Sequence, residues 1–214
     1  MGVRWLRLSS AAVVVGWVLV SVGGAVNPGF KQYEQYLSAL SADGTSSPGW
    51  GRGALIVVGV GLATLIPVLI PWCRICAGWT AVAALGAIAV ALVPMPCPSG
   101  ERFCATPPTG AWEPVTHAAT VTVFTVAVAA ALVAGACRLR ELTPGRRLTW
   151  SAVAAGATLA CAPMLLSLSG LPQRLALLAG QLALLAFAHV ALSDRVRVER
   201  REAGAAARRL PVRL

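Results

Sequence analysis

His117 is the residue of this chain best suited to acid–base chemistry, so the groups that could serve it come first. It follows Trp112, Glu113 and Pro114 and opens an apolar run. Ser38 and Asp43, in an earlier polar segment, fall on the same side of the membrane once the spans below are placed. An imidazole beside a carboxylate and a hydroxyl can move a proton to or from a substrate. The same contact can also be purely structural, tying two loops together. The catalytic candidates are therefore His117, Ser38, Glu113 and Asp43. His189 lies near the opposite end of the last span, roughly 30 Å away, which rules out a metal shared with His117. It reads as a packing residue bonded to a carbonyl or a Gln.

The cysteines offer a second kind of chemistry. Cys97 and Cys104 enclose six residues rich in turn formers, and on an oxidising face they read as a disulfide-closed hairpin. Closing so short a ring restricts its open states by on the order of 2–3 kcal/mol. A metal site is the alternative, although the loop holds no histidine. Cys73-Arg74-Ile75-Cys76 has the spacing of a redox or zinc motif, but no partner pair accompanies it. These two, like Cys137 and Cys161, read as small apolar packing residues. No metal or cofactor is called for.

The elements that must position these groups are membrane helices. The 214 residues are 57% hydrophobic and 12% charged, with a mean hydropathy of +0.73. That composition cannot supply the charged shell of a soluble domain. A spanning helix needs about 20 mostly apolar residues to cross roughly 30 Å of hydrocarbon. Six stretches qualify, at 8–26, 53–70, 75–93, 118–137, 148–168 and 171–192. The chain is thus expected to be all-α, a six-helix transmembrane domain over 1–192 with a basic cytoplasmic tail over 193–214. The tail reads as a frayed helix resting on anionic headgroups. Met1–Val26 could alternatively be a signal peptide, but its apolar stretch is longer than the usual 7–15 residues.

The formal charge of +10 does not indicate a nucleic-acid partner, because the basic residues flank apolar helices rather than share one surface. Positive-inside sorting explains them. With the N-terminus in the cytosol, fourteen of the eighteen basic residues fall inside, and Lys31, Arg52, Arg102 and Arg174 remain outside. Both termini are then cytoplasmic. Trp5, Trp50, Trp72, Trp112 and Trp150 sit at predicted boundaries, where an amphipathic ring is stable.

Close helix packing is expected at Ala152, Gly156 and Ala160 on the fifth span and at Gly59 and Gly61 on the second. Pro67 and Pro163 should kink their helices. No charged residue falls deep in a span, which weighs against an ion-coupled transporter or a proton pump.

The first outer loop carries a helical stripe. Asn27 suits an N-cap, Pro28 the first helical position, and Phe30, Tyr33, Leu37 and Leu40 recur at three- to four-residue spacing. The pattern predicts a short amphipathic helix lying at headgroup level. Asn27, Tyr33, Tyr36, Trp50 and Trp112 are the candidate ligand-binding residues of this face.

These motifs resemble the DUF998 family of bacterial multi-pass membrane proteins. The resemblance rests on Asn27-Pro28-Gly29-Phe30, the Tyr-x-x-Tyr-Leu-Ser-Ala-Leu segment at Tyr33–Leu40, Trp50 before the second span and His117 opening the fourth. It implies a six-helix fold in a bacterial plasma membrane and no particular reaction. Family members often carry an acidic residue soon after the third span; here no carboxylate occurs before Glu101.

Three functions compete. The leading expectation is binding of a lipid, an apolar small molecule or a membrane-protein partner at the extracytoplasmic face. The alternative is an integral-membrane enzyme acting on a lipid-like substrate with His117 as acid/base. A small-molecule transporter or exporter is the third.

Overall fold

In hydrocarbon an unpaired peptide group costs several kcal/mol, so apolar runs become helices whatever their intrinsic propensity. A computed structural model of the chain describes residues 2–31, 34–35, 37–42, 45–93, 95, 112–142 and 170–209. Within them stand five helices: α1 (Gly2–Val26), α2 (Pro48–Leu69), α3 (Arg74–Leu92), α4 (Trp112–Leu142) and α5 (Leu171–Arg209). Each is long and apolar enough to cross a membrane. A 3-10 helix spans Leu37–Ser41, and no strand occurs among the described residues. The expected span at 148–168, with Ala152, Gly156, Ala160 and Pro163, lies outside the described residues, as do Cys161 and Trp150.

The helices outrun the apolar stretches that announced them. α1 begins six residues before Leu8, α4 covers 31 residues, and α5 continues seventeen residues past Leu192 through the arginine-rich tail. Hydropathy marks where hydrocarbon ends. Backbone hydrogen bonding does not stop there, because arginine and alanine are good helix formers in water.

From α1 to α4 each helix packs antiparallel to the next through small residues. Ser9 Oγ donates to Gly61 O at 2.8 Å between α1 and α2. Gly59 lies against α3 so closely that a Cβ there would stand 2.8 Å from Ala84 O. Packing at Gly59 and Gly61 thus follows the expectation. α4 and α5 run parallel, with Gly180 beside Val128 and Phe187 lying on Gly135. Leu65, Leu69, Ala83, Ala127, Leu132 and Leu184 form the interior.

These contacts gather Arg4, Arg7, Arg74, Arg138, Arg140, Arg195 and Arg197 at one end of the bundle. Lys31, Arg52 and Arg174 lie at the other. The tight α2–α3 connection at the arginine-rich end is closed by Trp72 N and Cys73 N, both donating to Leu69 O. Cys73 is the N-cap of α3, and its Sγ accepts from Cys76 N at 3.3 Å. The three-residue spacing that resembles a redox motif is therefore the spacing of a helix cap. Cys73, Cys76 and Cys137 are free thiols, whereas Cys97 and Cys104 fall outside the described residues.

Among the described residues after α1, the stretch that begins at Asn27 is a turn rather than the start of the expected amphipathic helix. Phe30 N donates to Asn27 O at 3.2 Å, and Gly29 has φ 82°, which makes Asn27-Pro28-Gly29-Phe30 a type II turn. Proline second and glycine third suit that turn as well as they suit a helix start, and the positive φ decides between them. Leu37–Ser41 then forms the 3-10 helix, with all five residues buried against α1 and α2 rather than floating at headgroup level.

Candidate functional site

The end of the bundle opposite the arginines is closed by Gln35 and residues 37–42, held in part by polar side chains on neighbouring helices. Gln173 Oε1, buried in the first turn of α5, accepts from Leu37 N at 2.7 Å. Arg174 donates through Nη1 to Gln35 O at 3.0 Å, and its guanidinium lies 5.8 Å from the centre of the Phe30 ring. Arg52 of α2 donates from Nε to Ser41 O at 3.3 Å. Two of the cations counted as exceptions to the charge asymmetry are thus clamps on the backbone of this cap. Close approach is possible because Gly51 lacks a Cβ, which would otherwise lie 2.5 Å from Leu40 C and Ser41 N.

Asn27 is the most constrained of the sequence candidates. It is 2% exposed, donates from Nδ2 to Gly23 O at 2.7 Å, and accepts from Ser47 N at 3.0 Å through Oδ1. It closes the C-terminus of α1 and holds the entry to α2, so it is not the N-cap that its position before a proline predicts. Trp50 sits in the first turn of α2 over Gly23, 37% exposed.

His117 stands in the second turn of α4, 6% exposed. Its Nδ1 lies 2.7 Å from Val93 O. A carbonyl only accepts, so Nδ1 carries the hydrogen. The partner is one of the carbonyls that every helix leaves unpaired at its C-terminus, and His117 thereby caps α3 from α4. At Nδ1 the partner is a backbone oxygen rather than a carboxylate. Nε2, the remaining lone pair, is buried and meets no hydrogen-bond partner among the described residues.

Ser38 makes its described contact at a residue other than His117. Its hydroxyl donates toward Met95 Sδ at 3.9 Å. The two residues nevertheless converge on one short stretch, since His117 holds Val93 and Ser38 touches Met95. Trp112 and Glu113 lie in the first turn of α4, and only their place in the helix is described. Tyr33, Tyr36 and Asp43 lie outside the described residues. His189 is exposed on α5 rather than packed.

Beneath the cap two small gaps remain in the bundle. One, of about 20 Å³, is roofed by Leu37 and bordered by Trp17, Ala54, Phe124 and Gln181. The other, of about 10 Å³, lies beside it against Thr125 and Leu184. Each has room for about one water molecule. Trp17 Nε1 donates to Gln181 Oε1 at 3.0 Å across this region. Trp17, like Trp79, falls outside the boundary rule that places the other five tryptophans, and a polar Gln181 inside an apolar span was the sequence signal of the pair. Among the described residues, no group of three His, Cys, Asp or Glu side chains could hold a metal ion.

The model of the family described as "Protein of unknown function (DUF998)" matches residues 10–190. The chain belongs to the DUF998 family. The matched region takes in the turn at Asn27, the 3-10 cap, His117 and most of α5. This DUF998 chain is an all-α protein whose apolar helices place it in a membrane. No curated protein and no solved structure matches it.

Proposed function

We propose that this DUF998 protein resides in a bacterial plasma membrane with both termini in the cytosol, and that its capped, extracytoplasmic end binds a lipid or other apolar molecule carrying one hydrogen-bond donor. The orientation is supported by the arginines gathered at the opposite end, which positive-inside sorting keeps in the cytosol. The binding reading is carried by His117 Nε2, a buried acceptor with no partner among the described residues. Leaving such a group unpaired costs about 1–3 kcal/mol, which a donor brought by a ligand recovers. A membrane-protein partner presenting a hydroxyl or amide would satisfy the same atom.

Crosslinking of a photoreactive lipid to the full chain in membranes, mapped by peptide, tests this reading. The expected yield is high in residues 37–42 and 112–121 and falls at least fivefold in His117→Leu, while yield on the lipid face of α3 is unchanged. Equal yields in the two proteins overturn it.

The second reading, an enzyme acting on a lipid-like substrate, rests on the same lone pair. With Nδ1 fixed on Val93 O, Nε2 is the atom free to take a proton. Asp43 or Glu113 would then supply the second group. Mass-resolved change in a membrane-lipid extract that is lost in His117→Gln, with lipid crosslinking retained, favours catalysis over binding.

A further inference from the structure

At the arginine-rich end, far from His117, an open groove of about 830 Å³ runs between the start of α3 and the second half of α4. It lies within the range of roughly 300–1,000 Å³ that takes small organic ligands. Its walls are apolar and uncovered: Ile75 is 68% exposed and Val126 45% exposed, with Trp79 and Val133 between them. From Arg138 to Val126 the groove follows α4 for twelve residues, about 18 Å at 1.5 Å per residue. That is close to one leaflet, half of the roughly 30 Å hydrocarbon core.

The end of the groove at the headgroup level is built differently. Arg74, the first residue of α3, is exposed there. Arg138 donates from Nε to Trp72 O at 3.1 Å and from Nη1 to Glu141 Oε2 at 3.0 Å, which leaves Arg74 as the cation of the rim that Glu141 does not engage. The first amides of α3 point the positive end of the helix dipole to the same place. Trp72, which also lines the groove, is 8% exposed and sets its indole against Phe187 of the core, with ring centres 6.2 Å apart. A guanidinium and a helix N-terminus together call for an anion with several acceptor oxygens, and the walls below call for a hydrocarbon chain.

We propose that this groove holds one anionic phospholipid of the adjoining leaflet, its phosphate at Arg74 and an acyl chain along Ile75, Trp79, Val126 and Val133. Basic pockets between helices beside a charged membrane surface are the usual seats of such headgroups. The site is separate from the capped end, and its occupancy does not depend on the reading of His117.

Native mass spectrometry of the full chain released from detergent, titrated with dioleoylphosphatidylglycerol or dioleoylphosphatidylcholine, reads bound lipid and oligomeric state together. The wild type is expected to be a monomer retaining one phosphatidylglycerol in preference to phosphatidylcholine. Arg74→Gln should weaken that retention about fivefold, the effect of one basic residue near the surface. Val133→Trp, which fills the groove, should weaken it at least fivefold, and Arg74→Lys should restore most of what Arg74→Gln loses. The paired change Arg195→Gln and Arg197→Gln, at the same end but away from the groove, should leave it unchanged. Wild-type retention in either Arg74→Gln or Val133→Trp overturns the proposal. So does an equal loss in the Arg195/Arg197 variant, which assigns the lipid to the tail, or a dimer that Val133→Trp dissolves, which assigns the groove to a second copy of the chain.

Discussion

Trp17 Nε1 and Gln181 Oε1 meet at 3.0 Å in the middle of the bundle, joining α1 to α5 across 164 residues of sequence. The bond matters because neither helix follows the other in the chain, and no turn between them helps to set their register. In lipid a hydrogen bond of this kind contributes about 0.6 kcal/mol on average and up to about 1.7. Gln181→Leu and Trp17→Phe should therefore each destabilise the protein by about 1–2 kcal/mol, because each leaves the other side chain without its hydrogen-bond partner. Denaturant unfolding of both single variants and the double variant in detergent measures this. A coupling indistinguishable from zero refutes the role assigned to the pair.

Asn27 holds two helix ends with one amide. Asn27→Ala strands Gly23 O and Ser47 N–H together and should cost about 1–3 kcal/mol. Asn27→Asp can still accept from Ser47 N but cannot donate to Gly23 O, and it buries a charge. It should be at least as damaging as the alanine variant. Thermal unfolding in detergent ranks the two, and an Asn27→Asp protein as stable as wild type would contradict the geometry.

Gly51 is where the cap touches α2. Gly51→Ala places a Cβ against the Leu40–Ser41 peptide and should cost about 1–3 kcal/mol through overpacking. Its effect should be local. Amide exchange across Leu37–Ala42 is expected to rise at least tenfold while α3 and α4 stay protected, as local opening of a small unit requires. Uniform loss of protection along the whole chain would show that the cap is part of the global core instead.

Orientation can be read with thiols in a cysteine-free background. Gly49→Cys is well placed, since nothing lies within 4 Å of the position a Cβ would take. An impermeant maleimide should label it on intact cells. Asp194→Cys, at the arginine-rich end, should label only after permeabilisation. The reverse pattern inverts the proposed topology.

For this DUF998 protein, hydropathy alone located α1 to α5, because solvation by lipid acts on a stretch of chain irrespective of what it later packs against. The same holds for the separation of Arg4, Arg7, Arg74 and Arg138 from Arg52 and Arg174, a property of loop composition. Spacing could not tell a turn from a helix at Asn27-Pro28-Gly29-Phe30, since both accept proline and glycine there and only the φ of Gly29 distinguishes them. Nor could it show that Cys73 and Cys76 form a cap. Tertiary structure alone decided the partners: Val93 O for His117, Gln35 O for Arg174, Gln181 for Trp17. A side chain's hydrogen bond depends on which helix faces it at a few ångströms. Helix order around a bundle is set by the summed packing of small residues such as Gly59 and Gly135, which no local pattern records.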